Sequence, residues 1–303
     1  NVNPFSYEQT NCSVNPFALR EGSKRPIVQD GDGRLVAVIG AGPAGMEAAV
    51  TLKQRGFDVV VFDKRDEIGG NLHVAKKPPF KGKFEWAIDY YKSMAKKLNI
   101  TMKLGKEVTA QEVLALKPYS ILVATGSNVI SIPLEGLDQV QTVQAHDVLA
   151  NDMQFANKKV VVIGGGITGL ETALYINRQG TNQVSVVDML PEWPVDMLDM
   201  RYQNEALLEV RHCNDQGVAL FYNNKVVKFA DGKLFIESTK DGEVKELPAD
   251  VIVLSVGVKP NDALWQELLA SGHPSVWKAG DAIAAGKINK AVLHGSKFGY
   301  SLN

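Results

Sequence analysis

Glycine residues at a fixed spacing occur twice in this chain, each time directly after a run of apolar, β-branched residues. The first segment reads VAVIGAGPAG and the second VVVIGGGITG, and each opens a helix-like stretch. Glycines at this spacing permit a tight strand-to-helix turn, close approach of the backbone to a pyrophosphate, and contact between helix and sheet. The pyrophosphate then lies against free N–H groups at a helix N-terminus. These residues are therefore suited to binding a dinucleotide, twice in one chain.

The strand predicted to follow each glycine segment ends in an acid. Asp63 follows VVVF and Asp188 follows VSVV, each about 20 residues after the third glycine. We expect these carboxylates to accept hydrogen bonds from adenosine ribose hydroxyls, although Asp188 could instead only cap its strand. Asp188 would repel a 2′-phosphate and no Arg follows it directly, which favours NADH over NADPH. Two dinucleotides held side by side are suited to passing a hydride from one to the other.

Composition limits the classes of protein to which the chain can belong. With 303 residues, 45% hydrophobic and 22% charged, it is expected to be globular, with about two domains. A net charge of −1 and the lack of an apolar run of about 18 residues favour neither a nucleic-acid nor a membrane partner. The two cysteines argue against a disulfide framework and favour the reducing cytoplasm. The chain begins with Asn1 rather than Met, which predicts a fragment or a processed product.

Apolar periodicity predicts the elements that would position the glycine segments. Residues 84–98 predict a helix, whereas ILVATG, ending at Gly126, and DVIVLSVG, ending at Gly257, predict buried strands. Asp-Gly turn signals within residues 218–247 predict an antiparallel meander. Residues 275–282 predict a return strand that runs into a helix.

The order of these elements predicts an α/β fold with two Rossmann-like dinucleotide-binding domains, made of parallel sheets with helices plus an antiparallel β-meander. The whole second βαβ core precedes the return strand, so one domain would be inserted in the other. The predicted divisions are an N-terminal lead-in segment at 1–34, a first domain at 35–128 and 259–303, and an inserted domain at 129–258.

The return strand distinguishes the two predicted sites. Gly280-Asp281 would bring a carboxylate to the first glycine segment, where the ribityl chain of FAD needs an acceptor. The helix predicted to start near Ala282 would direct N–H groups at the flavin, and Asp281 could also be the N-cap of that helix. FAD is therefore predicted at the first segment, with contacts from Gly40, Gly42, Pro43, Ala44, Gly45, Asp63, Lys64, Gly70, Asn71, Val108, Ala124, Thr125, Gly126, Gly280 and Asp281.

The second glycine segment is predicted to bind the nicotinamide cofactor. The predicted contacts are Gly164, Gly165, Gly166, Ile167, Thr168, Gly169, Glu171, Asp188 and Gly257. Glu171 lies just inside the second helix, where its carboxylate either reaches the nicotinamide or is exposed on the helix surface.

With both fingerprints, Gly69-Gly70, Ala124-Thr125-Gly126 and Gly280-Asp281, residues 35–303 resemble the two-dinucleotide-binding flavoprotein superfamily. The resemblance implies that the chain passes from the FAD domain to the NAD domain at Thr125-Gly126 and returns to the FAD domain at Gly257. The disulfide-reducing members carry a C-x-x-C or C-x₄-C pair beside the flavin, and this chain has neither.

A narrower resemblance rests on IGGNLHVAKKPPFKGKFEW and NCSVNPFALRE. These segments are similar to the C-terminal half of the old-yellow-enzyme-related NADH:flavin oxidoreductases, the group of 2,4-dienoyl-CoA reductase and enoate reductase. That family has an upstream FMN barrel and a [4Fe–4S] cluster, and the resemblance places Cys12 as the fourth cluster ligand. The other three cysteines and the barrel are absent from this chain, and a cluster needs about four thiolates. The alternative is that Cys12 is a small apolar residue of a surface segment.

The resemblance implies an FAD-containing NADH oxidoreductase that passes a hydride from NADH to FAD and electrons onward. In the intact family these go through the iron–sulfur cluster to FMN and an activated C=C bond. The implied partners are an FMN-barrel and iron–sulfur domain on the same or another chain and a small-molecule electron acceptor. Two alternatives are a structural module that binds ADP, as in amine-dehydrogenase relatives, and a reductase of a separate ferredoxin- or rubredoxin-like carrier.

The remaining polar residues give weaker indications. The five histidines show no metal-ligand spacing, and Cys213 is predicted to be structural. The lysines at 76, 77, 81 and 83 predict a solvated loop; the resemblance implies instead that this stretch lies near the flavin and faces the partner domain.

Overall fold

The structure, a computed structural model, describes residues 12–18, 21–23, 26–191 and 203–303. Residues 1–11, 19–20 and 24–25 of the predicted lead-in segment lie outside these ranges. No helix within the described ranges has both the length and the apolarity that crossing a membrane requires.

The first sheet is five-stranded and parallel, with strand order β15-β4-β1-β2-β3. Its strands are β1 (Leu35–Ile39), β2 (Asp58–Phe62), β3 (Thr101–Lys103), β4 (Ser120–Val123) and β15 (Val276–Lys278). The central strands β1 and β4 are buried almost throughout, as expected of a parallel sheet with both faces covered.

Helices cover both faces of this sheet. They are α1 (Pro43–Gln54), α2 (Leu72–Ala75), α3 (Glu85–Lys97), α4 (Ala110–Ala115), α8 (Ala263–Ala270) and α9 (Ile288–Ser301). The closest packing joins α1 to α9, since a Cβ added to Gly295 would lie 2.1 Å from the carbonyl oxygen of Ala44. The predicted helix at 84–98 is confirmed by α3 within one residue at each end.

A second parallel sheet has the strand order β6-β13-β7-β8-β9. Its strands are β6 (Gln141–Gln144), β7 (Lys159–Ile163), β8 (Gln183–Val187), β9 (Ala219–Phe221) and β13 (Val251–Leu254), and its helices are α5 (Ala145–Ala150), α6 (Ile167–Asn177) and α7 (Gln203–Asp215). The α/β fold with two such sheets is confirmed.

The antiparallel meander is confirmed with one correction. It consists of β10 (Asn224–Ala230), β11 (Lys233–Ser238) and β12 (Val244–Pro248), and Asp231-Gly232 forms its first turn with positive φ at both residues. The prediction that the meander starts at residue 218 is wrong, because β9 pairs in parallel with β8. The chain turns at Asn223, where φ is 58°, and only then enters the meander.

A two-stranded antiparallel ribbon connects the two parts of the molecule. It pairs β5 (Ser127–Val129) with β14 (Val258–Pro260), and its strands directly follow Gly126 and Gly257, with φ values of 75° and 100°. We call the elements before β5 and after β14 the outer unit, and those between them the inner unit. The predicted domain boundaries at 128/129 and 258/259 fall within this ribbon.

The start of the last helix differs from the prediction. Residues Gly280–Ala282 form only a 3₁₀ turn, and α9 begins at Ile288 rather than near Ala282. Asp281 Oδ1 accepts a hydrogen bond from the N–H of Gly286, which closes a loop between strand and helix. The N-cap of α9 is Lys287, so the predicted capping role of Asp281 for this helix is wrong.

Candidate functional site: two glycine loops on one cleft

The first glycine of each segment is required by the protein's own backbone. Gly40 and Gly164 have φ values of 111° and 109°, which side chains rarely adopt. A Cβ at Gly40 would lie 2.2 Å from the carbonyl oxygen of Ala124, and a Cβ at Gly164 would lie 2.2 Å from that of Ser255. Each turn therefore packs directly against the end of a neighbouring strand.

The third glycine of each segment is also required for packing inside the protein. A Cβ at Gly45 would lie 1.9 Å from the carbonyl oxygen of Gly40, and a Cβ at Gly169 would lie 1.9 Å from that of Gly164. The two turns are thus built alike to within a few tenths of an ångström at these contacts.

The middle glycines are different, because the protein leaves space around them. Gly42 and Gly166 have φ values of −76° and −69°, which any residue can adopt. A Cβ at Gly42 would come no closer than 3.9 Å to its nearest neighbour, Gly70 Cα, and one at Gly166 would meet no described atom within 4 Å. Both residues cap helices that no described side chain caps, so N–H groups face open space as a bound pyrophosphate requires.

The acid at the end of each second strand holds its glycine turn in place. Asp63 Oδ2 accepts a 2.6 Å hydrogen bond from the N–H of Ala41, and Asp188 Oδ2 accepts one of 2.6 Å from Gly165. The other oxygen of each accepts from the N–H two residues further along, at 2.8 Å. Both acids therefore fix the local backbone while their carboxylates line the cleft described next.

A cleft of about 2370 Å³ runs past both glycine loops. Every residue predicted to contact FAD lines it except Gly45, and every residue predicted to contact the nicotinamide cofactor lines it except Gly165 and Gly169. Gly45 and Gly169 are the packing glycines, and Gly165 lies beneath Tyr222 and Asp188. The loops from the two units thus open on shared space.

Asp281 lies in the cleft on the side of the first loop. Its Oδ2 accepts a hydrogen bond of 3.3 Å from the Ser127 hydroxyl, and burial raises the pKa of its carboxyl above the ordinary value. The adjoining Gly280 lies against the first loop's helix, since a Cβ there would be 3.1 Å from Ala44 Cβ. The return strand β15 therefore carries Asp281 to the first loop.

Glu171 is buried, so the alternative of an exposed helix-surface residue is wrong. Its carboxylate forms a 2.7 Å ion pair with Lys81, and only 12% and 20% of the two side chains are exposed. Lys81 belongs to the outer unit and Glu171 to α6 of the inner unit. The prediction of a solvated lysine loop is wrong for three of its four lysines, because Lys77 also reaches the inner unit and Lys76 pairs with Glu85, whereas Lys83 is exposed.

Several cleft residues were not identified from the sequence. Arg65 donates a 2.6 Å hydrogen bond to the carbonyl oxygen of Gly70 and lines the cleft two residues after the acid, so the motif itself could have indicated it. Ser127 could not be identified, because its partner is 154 residues away. The N-terminal residues of α9, Ile288 and Asn289, also line the cleft and were missed because the helix start was misplaced.

The two cysteines differ sharply in environment. Cys12 is half-buried, and its Sγ accepts a 3.4 Å contact from the N–H of Val14. Cys213 is fully buried, which raises its pKa to about 12 and fits the predicted structural role. Across the described ranges, no three His, Cys, Asp or Glu residues are grouped closely enough to hold a metal ion.

The chain is similar to proteins of known name and to a solved structure. The NADH oxidase of Thermoanaerobacter brockii is 32% identical over 98% of this chain and 45% of its own length, and the bilirubin reductase of Mediterraneibacter gnavus is 34% identical over 90% and 41%. The solved 2-naphthoyl-CoA reductase complex with 2-naphthoyl-CoA superposes with a TM-score of 0.87 at 29% identity, over 96% of this chain and 43% of that one.

The chain spans less than half the length of these relatives. The comparisons confirm the resemblance inferred from the two glycine segments and the neighbouring motifs. Residues 34–293 match the family described as "Pyridine nucleotide-disulphide oxidoreductase", whose members are flavin-dependent oxidoreductases that bind NAD(P)H. This chain belongs to that family.

Proposed function

We propose that this chain holds FAD at the first glycine loop and oxidises NADH at the second. The observation that carries the proposal is the pair of matched loops, each with one glycine around which the protein leaves open space, opening on one cleft. When bound, the nicotinamide and the flavin supply the hydride-transfer chemistry, and the protein supplies position and electrostatics.

The surroundings of the first loop support FAD there. Gly42 offers open backbone N–H groups for a pyrophosphate, and Asp63 offers an acceptor for ribose hydroxyls. Asp281 adds a second carboxylate, supported by Ser127, for a chain of sugar hydroxyls. A flavin dinucleotide carries such a chain, which a nicotinamide dinucleotide lacks.

The surroundings of the second loop support NADH. Gly166 and Asp188 repeat the pyrophosphate and ribose positions. The residues after Asp188 are Met189 and Leu190, which bring no positive charge for a 2′-phosphate. We infer that NADPH is the poorer substrate.

The ion pair between Lys81 and Glu171 supports a site in which both cofactors meet. Both residues line the cleft, and Glu171 lies one turn inside α6, whose N-cap is Gly166. The pair places a positive and a negative side chain where the outer and inner units approach each other. We propose that it orients the nicotinamide end of NADH and excludes water from that region.

We propose that electrons leave the reduced flavin for groups outside this chain. Cys12 cannot hold a [4Fe–4S] cluster alone, since such a cluster needs about four thiolates and the only other cysteine is fully buried. We propose that Cys12 is one ligand of a cluster completed by a further domain with an FMN barrel, on the same or another chain. The greater length of the relatives supports such a domain, and the final acceptor would be a small molecule bound there.

An anaerobic titration tests the central proposal. Purified protein should be yellow, release FAD on denaturation, and lose its visible flavin absorbance when NADH is added. NADPH should bleach it more slowly at equal concentration. Protein that carries only ADP and no flavin would contradict the proposal and favour a structural nucleotide site. Yellow protein that neither NADH nor NADPH bleaches would refute NADH oxidation while leaving the FAD site intact.

A further inference from the structure

The segment 76–84, which we call the strap, leaves the outer unit after α2 and lies against the inner unit. Lys77 Nζ lies 2.5 Å from Asp152 Oδ2, in the turn after α5, and this ion pair lowers the pKa of the Asp152 carboxyl. Lys81 reaches Glu171 on α6. The strap therefore places two lysines, four residues apart in the sequence, against two acids of the inner unit.

An aromatic contact lies between these two ion pairs. The Phe80 ring is 4.5 Å from the guanidinium carbon of Arg178, at the end of α6, and 5.3 Å from the ring of His212 on α7. Phe80, 72% exposed, has a φ of 67° at the third position of a turn that the Lys81 N–H closes by donating to the Pro78 carbonyl oxygen at 3.2 Å. The strap thus follows α6 and reaches α7 with its backbone in a closed turn.

Both ends of the strap are tied to the glycine loops. Upstream, the short helix α2 begins at Leu72, two residues after Gly70, and a Cβ at Gly70 would lie 2.8 Å from Gly42 Cα of the first loop. Downstream, Lys81 holds Glu171, five residues after Gly166 of the second loop. Pro78 and Pro79 stiffen the connection because their φ angles are fixed.

We propose that the strap is a positioning element that sets the orientation of the inner unit against the outer unit, with Lys77–Asp152 and Phe80–Arg178 as its holding contacts. This inference rests on the proposed function, because the alignment it sets is that of the two cofactors. When the strap is undocked, each loop keeps its own geometry but the two no longer share a fixed cleft. Lys77, Phe80 and Asp152 act through this orientation and are not catalytic residues.

Limited trypsin digestion of the full chain tests the docking directly. Trypsin can cut after Lys76, Lys81 and Lys83 in the strap, whereas Lys77 precedes a proline and is a poor site. Asp152→Asn removes one charge and suits the positive φ of 49° at that position, and Lys77→Gln removes the other. Lys233→Gln is the matched control, because it breaks a lysine–carboxylate pair with Glu246 inside the inner unit.

We expect either strap variant to be cut in the strap about 2- to 5-fold faster than wild type at low salt, the range expected of one exposed ion pair. The double variant should be no faster than the faster single one, since both remove the same contact. Added salt should bring the wild type towards the variants, because it screens the pair. Phe80→Ala should also accelerate cutting, but it keeps the Lys77–Asp152 pair and should therefore keep the salt dependence of the wild type.

Flavin reduction provides the second measurement. At saturating NADH the strap variants should reduce flavin more slowly by a similar factor, with unchanged FAD content, whereas Lys233→Gln should match wild type. Strap cleavage at the control rate in Asp152→Asn, Lys77→Gln and Phe80→Ala would overturn the inference. Faster cleavage with an unchanged rate of flavin reduction would also overturn it, because docking would then not set cofactor alignment. Failure of the wild type to bind FAD would refute the proposed function. The digestion would still measure whether the strap is docked on the inner unit.

Discussion

The two glycine loops are nearly identical, but their surroundings are not. At the first loop, Gly70 approaches Gly42 closely and α9 packs against α1 through Gly295. At the second loop, no described atom would touch a Cβ at Gly166. The same motif thus has a second backbone segment, at Gly70, beside its middle glycine in the outer unit and no described neighbour there in the inner unit. This difference fits a cofactor that remains bound at the first loop and a nucleotide that exchanges at the second.

The largest expected effect is a loss of stability, and it should be similar for the two loops. Gly40→Ala and Gly164→Ala both force a Cβ against a carbonyl oxygen at 2.2 Å and into a positive φ. Each should lower the free energy of unfolding by roughly 3 kcal/mol or more, from backbone strain and overpacking together. Chemical denaturation of the FAD-free proteins measures this loss. A loss below 1 kcal/mol in either variant would show that the turn can relax.

Substituting the middle glycines should affect a different ligand at each loop. Gly42→Ala is expected to abolish FAD binding, and Gly166→Ala to leave the protein yellow but raise the Kd for NADH more than tenfold, because each methyl group occupies space kept for a pyrophosphate. Stability should fall by only about 1 kcal/mol, since alanine is a poorer N-cap than glycine. Flavin content and NADH titration measure the two outcomes. Loss of FAD from Gly166→Ala would reverse the assignment of the loops.

Substituting the acids should also distinguish the two loops, with smaller effects on ligand binding. Asp188→Ala should reduce the preference for NADH over NADPH by about tenfold, because it removes a charged acceptor and a repulsive charge at once. Asp63→Ala should instead weaken FAD binding and leave the NADH preference unchanged. Steady-state kinetics with both nucleotides check the first outcome. An unchanged preference in Asp188→Ala would limit that residue to holding the turn of Gly165.

The smallest effect concerns Asp281, which only the first loop has. Burial raises its pKa in the folded protein, so the fold favours the protonated carboxyl and loses stability as the pH rises through that raised pKa. Asp281→Asn imitates the protonated form, so the FAD-free variant should gain Tm relative to wild type between pH 4 and pH 7 while binding FAD less tightly. A wild type that is the more stable of the two at pH 7 would contradict this expectation.

The parts of the molecule that the sequence predicted are those encoded locally. The glycine turns, the acids and the helix at 84–98 each follow from residues within about 25 positions of one another. The strap could not be predicted, since Lys77 and Asp152 are 75 residues apart and a lysine run resembles a solvated loop. The start of α9 was misplaced because the hydrogen bond from Gly286 to Asp281 replaces the first turn of a helix.

The β5–β14 ribbon has a consequence for how the chain folds. β15 must pair with β4, and about 150 residues, most of them in the inner unit, separate the two strands. Closing so long a loop costs conformational entropy, but an inner unit that has already folded brings its two ends together at the ribbon, where Asn261 N–H donates to Gly126 at 3.0 Å. The connection then acts as a loop of about twenty residues, which lowers the closure cost by about 2 kcal/mol. On the ribosome, the interior of the chain would therefore fold before the sheet that surrounds it is complete.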